Sequence, residues 1–104
     1  MAINNTVLTS GTAGNIYAAT TTSAITTIHL CNTTGATVLA NVYICTGSDV
    51  NASAKNAIYT NLSITAQNTY VIYAEKFILQ AGDSVRANAT VASSISATVS
   101  SIGL

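Results

Sequence analysis

Few side chains in this chain could do chemistry. His29 is its only histidine, and Cys31 follows two positions later, so on a strand the two share a face. That is half of a zinc site, and beyond Cys45 only distant carboxylates remain to complete it. His29 could instead act as the base of a Ser–His–Asp set with Asp49 or Asp83. No Gly-x-Ser-x-Gly elbow holds a strained serine, however, and nothing singles out one serine among many. Glu75 is the only glutamate and stands beside Lys76, which reads as a surface ion pair of little energetic weight. Gly11-Thr12-Ala13-Gly14 lacks the lysine and the following helix of a phosphate-binding loop. The residues predict no catalytic group, no metal and no cofactor, and a protein that works by binding or assembly.

Tyrosines are the better candidates for contact. Tyr43, Tyr59, Tyr70 and Tyr73 fall on three predicted strands, Tyr70 and Tyr73 sharing one. They could form a flat platform for a sugar ring, as in a carbohydrate-binding or adhesive module. Tyrosine is also a residue enriched in protein interfaces and at home on half-buried sheet faces. With no Trp in the chain and few carboxylates to ring a sugar, the interface reading is preferred. Ile3, read as the only apolar anchor in residues 1–6, joins the tyrosines as a candidate interface residue.

The charge content narrows the class further. Only 6% of residues are charged, against about 25% in ordinary domains. The full set is Asp49, Lys55, Glu75, Lys76, Asp83 and Arg86, with net charge zero. Three scattered basic residues cannot neutralise a run of phosphates, so no nucleic acid is expected as partner. No stretch of about 18 apolar residues exists to cross a bilayer as a helix. The first residues show neither a basic nor an apolar signal-peptide region, so synthesis in a cytoplasm is expected. A small domain with no net charge has little to keep copies apart, and a homo-oligomer is expected.

The elements that carry these residues alternate with period two almost throughout. Strands are predicted at residues 7–10, 15–19, 24–32, 37–45, 57–64, 70–74, 76–79, 84–89 and 95–104. In the fourth, Val38, Ala40, Val42 and Ile44 share one face and Leu39, Asn41, Tyr43 and Cys45 the other. Residues 50–57 are the best helix candidate, a short and interrupted one. Parity changes after Val99, so Ser100-Ser101 predicts a bulge or a change of partner. Thr33-Thr34-Gly35-Ala36 reads as the turn of a hairpin joining residues 24–32 to 37–45. That register would hold Cys31 and Cys45 beyond the reach of about 7 Å that a disulfide needs, and two thiols are expected. The sharpest local signal is Leu79-Gln80-Ala81-Gly82-Asp83-Ser84-Val85. Gly82 is expected to take positive φ, with the Asp83 carboxylate accepting backbone N–H groups across the turn.

Eight or nine short strands with turns between them predict an all-β fold: one small antiparallel β-sandwich or flattened barrel of about eight strands. Residues 1–23 read as an arm with the first short strands, and residues 24–104 as the sandwich body of a single domain. Sheet edges are usually guarded by Pro or charge, and the chain has no Pro and almost no charge. Residues 1–6 are therefore expected to lie across a neighbouring subunit or to add a strand to its sheet.

The order of these features resembles a known group. A strand ends in His29-Leu30-Cys31-Asn32 and the apolar strand of residues 38–45 follows. Later come Tyr70-Val71-Ile72-Tyr73, Glu75-Lys76-Phe77-Ile78-Leu79 and Ala81-Gly82-Asp83-Ser84-Val85-Arg86-Ala87, then an Ile-x-Ala-x-Val strand. A Cys-Asn strand end followed at this distance by a Leu-x-x-Gly-Asp-x-Val turn is similar to short virion structural proteins of tailed bacteriophages. The resemblance spans residues 24–100. It implies a β-sandwich subunit of a capsid, neck, tail or baseplate, with other virion proteins as partners and no catalytic residues. A capsid decoration (cement) protein located in the virion is the form it favours.

Overall fold

The computed structural model describes residues 2–47, 52–72 and 77–103. Among them nine strands form: β1 Ala2–Val7, β2 Gly14–Ala18, β3 Ser23–Asn32, β4 Val38–Cys45, β5 Ala57–Ile64, β6 Thr69–Ile72, β7 Phe77–Leu79, β8 Ser84–Ala89 and β9 Ile95–Gly103. All strand pairs are antiparallel and make two sheets. The first runs β1-β9-β3-β6, with β7 on the same side of β3 as β6; the second runs β2-β8-β4-β5. Their inner faces pack together as a β-sandwich. Ile28 and Leu30 of β3 and Ile95, Ala97 and Val99 of β9 meet Val38, Ala40 and Val42 of β4 and Val85, Ala87 and Ala89 of β8. Burying each larger aliphatic side chain contributes about 1.5–3 kcal/mol. Ala89 and Ala87 lie opposite Ala40 and Val42, so the centre of the second sheet is lined by small side chains.

The alternation read from sequence decides which face each residue takes. Val38, Ala40 and Val42 point inward as expected, and Ile44 packs on the same core. Cys45 is fully buried on the opposite parity, outside that core cluster. The predicted bounds of β5 and β8 coincide with those observed. Residues 54–56 form a single 3-10 turn, with the Ser53 N–H donating to Asn56 Oδ1 at 2.8 Å, while residues 50 and 51 of the predicted helix lie outside the described residues.

Two expectations are corrected. Residues 24–32 and 37–45 do not form a hairpin: β3 and β4 lie in different sheets, and residues 33–37 cross between them. Gly35 does not take the positive φ that a two-residue hairpin turn requires. The predicted strand at residues 7–10 is displaced, because β1 ends at Val7 and only Thr9 makes a bridge beyond it, to Asn88. Residues 2–7 form a strand of the chain's own first sheet. They pair residue for residue with β9, from Ala2 opposite Ser101 to Val7 opposite Ser96. Backbone hydrogen bonding in this ladder, which sequence periodicity does not report, orders the segment without any apolar anchor. The irregularity expected at Ser100-Ser101 falls on the facing strand: Thr26 of β3 is the extra residue, and its hydroxyl donates to the Ser100 carbonyl at 3.1 Å.

Candidate functional site

Strand ends in a sandwich leave backbone groups unpaired, and this chain satisfies many of them with amide and carboxylate side chains. Gly82 has φ +96° and its N–H donates to the Ala19 carbonyl at 2.9 Å. The Asp83 carboxylate accepts the Gln80 N–H through Oδ2 and the Gly47 N–H through Oδ1, both at 3.0 Å. One side chain thereby ties the turn before β8 to the loop leaving β4, and Leu79 and Val85 enter the core on either side. Both oxygens of Asp83 are thus engaged by backbone donors.

The second polar device is Asn32, fully buried at the end of β3. Its Nδ2 donates to the Ala36 carbonyl at 2.7 Å and to the Ile64 carbonyl of β5 at 2.9 Å. Its Oδ1 accepts from the Thr34 N–H at 2.9 Å and the Thr34 hydroxyl at 2.7 Å. Four bonds from one amide shape the crossover between sheets and fasten it to the far sheet. On the outer face of that sheet, Asn41 accepts the Asn61 N–H and donates to Asn88 Oδ1 at 2.9 Å, and Asn88 Nδ2 bonds the Gly11 carbonyl. Amides here do the work that charged residues do on ordinary surfaces.

The candidate chemistry does not converge. His29 is on the outer face of the first sheet between Thr98 and Val71, and Cys31 lies between Ser96 and Thr69. Among the described residues no group of three or more His, Cys, Asp or Glu could hold a metal ion. Asp49, Glu75, Lys76 and Tyr73 lie outside the described residues. Tyr59 and Tyr70 face inward from the edge strands β5 and β6 and meet edge to face, centroids 6.0 Å apart at 67°. Tyr43 stands opposite Arg86 on the outer side of its sheet. The structure thus joins Tyr59 to Tyr70, leaves Tyr43 apart, and forms no flat platform from them. A cleft of 220 Å³ beside Tyr70 is lined by Ser63, Ile64, Thr65, Asn68 and Thr69. It is smaller than the roughly 300–1,000 Å³ of small-molecule sites.

Surface character is the remaining feature. The outer face of the first sheet carries Ile3, Asn5 and Val7 of β1, Ser96, Thr98, Ser100 and Ile102 of β9, Thr27, His29 and Cys31 of β3, and Ile78 of β7. None of these has a fixed charge. Ile3, Val7, Ile78 and Ile102 are 63%, 53%, 57% and 41% exposed. Of the four, only Ile3 stood among the sequence-predicted interface residues. The others could have been found from period two once the pairing of β9 was known.

Cys31 and Cys45 are both thiols, separated not by a hairpin but by membership of different sheets. Cys31 is half-buried and Cys45 wholly buried. A thiol reagent should modify Cys31 in the native protein and reach Cys45 at least about 100-fold more slowly, in step with unfolding. Equal rates would show that the end of β4 opens independently.

No protein-family model matches the chain, and no curated protein or solved structure is significantly similar to it.

Proposed function

We propose that this protein is a structural subunit of a bacteriophage virion, and within that class a capsid decoration protein that stabilises the particle by bridging neighbouring subunits. The observation that carries the reading is the outer face of the first sheet: among its described residues none carries a fixed charge, and four aliphatic side chains stand exposed on it. Desolvating such a face against another protein removes apolar surface from water at about 25 cal/mol per Å² and strands no charge. The order of the Cys31-Asn32 strand end and the Leu79 to Val85 turn supports the same class, since it resembles that of short phage structural proteins. A neck, tail or baseplate subunit is the alternative within the class. The carbohydrate-binding reading is weakened by the tyrosines, which meet edge to face or stand on opposite sides of their sheet.

Quantitative mass spectrometry of purified particles tests the proposal. A decoration protein should be present at on the order of hundreds of copies, in proportion to the main capsid subunit, whereas about six or twelve copies would place it in a neck or tail of cyclic symmetry. Absence from particles that carry the other gene products of the same phage would refute the virion reading.

A further inference from the structure

Among the described residues β1 pairs with β9 alone, so its other side is a free sheet edge. Which residues serve that edge follows from one hydrogen bond. The Leu8 N–H donates to the Ile95 carbonyl at 2.9 Å, and Leu8 continues the β1 register opposite Ile95. Hydrogen-bonded pairs alternate along an antiparallel ladder. Thr6–Ala97 and Asn4–Val99 are therefore bonded pairs, and the N–H and C=O groups of Ile3, Asn5 and Val7 point away from β9. The same three residues direct their side chains to the outer face, where Ile3 and Val7 are exposed apolar side chains.

We infer that β1 is the contact between copies of this chain, pairing antiparallel with β1 of a second copy about a two-fold axis at Asn5. In that register Asn5 faces Asn5 of the partner and Ile3 faces its Val7, so each outward donor meets an acceptor and about six N–H···O bonds close. Ile3 and Val7 become cross-strand neighbours with Cβ atoms about 5 Å apart on one face. The match is self-complementary, as a two-fold contact requires. Lys55, Asp83 and Arg86, the charged residues described, lie on or beside the other sheet, so no like charges of the described residues oppose one another at this edge. Edge strands without Pro, charge or bulge are templates for such addition. A single strand pair buries less than the roughly 800 Å² per partner of a standard interface, so the contact is reversible alone and gains strength within a larger assembly. The inference rests on the assembly reading above and names the second copy as partner and β1 as its site.

Sedimentation velocity over a dilution series up to about 0.2 mM, where a contact with Kd of tens of micromolar is well populated, tests it. The wild-type chain should shift from monomer to dimer with concentration. Asn5→Pro removes an outward N–H and keeps every backbone bond to β9, losing only the exposed Thr98 hydroxyl bond to Asn5 Oδ1 at 2.9 Å, and should stay monomeric while keeping the wild-type circular dichroism. Ile3→Lys, a side-chain change that leaves the backbone intact, should do the same, and Thr60→Lys on the opposite edge strand β5 should associate like wild type. A wild type that is monomeric throughout overturns the inference. So does dimerisation of Asn5→Pro and Ile3→Lys at the wild-type midpoint; that result would move the contact elsewhere and leave the assembly reading to the particle copy number.

Discussion

Asn32→Leu is expected to lower stability by about 3–5 kcal/mol, a large share of the 5–15 kcal/mol typical of a domain. Leucine keeps the branched shape of asparagine with methyl groups in place of the amide atoms, so the main effect is lost hydrogen bonding, with a smaller contribution from added bulk. The substitution removes the amide donor from the Ile64 carbonyl and the amide acceptor from the Thr34 N–H, at about 1–3 kcal/mol for each group left buried without a partner, while the exposed Ala36 carbonyl keeps the Thr34 hydroxyl. Asn32→Asp separates the two halves of the amide. A carboxylate still accepts from Thr34 but cannot donate to Ala36 and Ile64, and it places a charge at a fully buried position. Asn32→Asp should therefore be at least as damaging as Asn32→Leu at neutral pH and should recover in part on acidification, as protonation restores one donor and removes the charge. Urea denaturation with an unchanged m-value checks both variants. A loss below about 1 kcal/mol for Asn32→Leu would mean that the crossover is held by packing alone.

The second large effect is expected at the turn before β8. Gly82→Val should cost about 2–3 kcal/mol, because a β-branched residue at φ +96° is strained whatever space surrounds it. Space is in fact available: a Cβ placed there would meet Gly47 Cα at 3.7 Å, an ordinary contact. The cost is then conformational, and Gly82→Ala should retain more stability than Gly82→Val. Asp83→Ala gives an independent reading of the same turn, since it removes the acceptor for the Gln80 and Gly47 N–H groups while leaving Gly82 in place. Equal stability of Gly82→Val and wild type would require the turn to rebuild with the positive φ elsewhere. Thermal denaturation followed by circular dichroism distinguishes these outcomes.

By itself the amino-acid sequence determined what is local in this protein. Period two assigns Val38, Ala40 and Val42, Val85, Ala87 and Ala89, and Ile95, Ala97 and Val99 to buried faces, because side chains alternate along any strand whatever its partner. Gly82 and Asp83 mark their turn because positive φ and carboxylate capping are properties of a few adjacent residues. Scarcity of charge likewise marks a surface suited to contact. What only the tertiary structure decided is partnership. A five-residue link such as 33–37 can close a hairpin or step between sheets, and the choice rests on Asn32 reaching Ile64, a contact between residues far apart in the chain. The segment Ala2–Val7 has Asn4-Asn5-Thr6 at its centre and little β propensity of its own; the free edge of β9 makes it a strand. The exposed row of Ile3, Val7, Ile78 and Ile102 exists only once β1, β9, β3 and β7 are placed side by side, since a face shared by four strands is a product of long-range pairing and leaves no mark in the spacing along the chain.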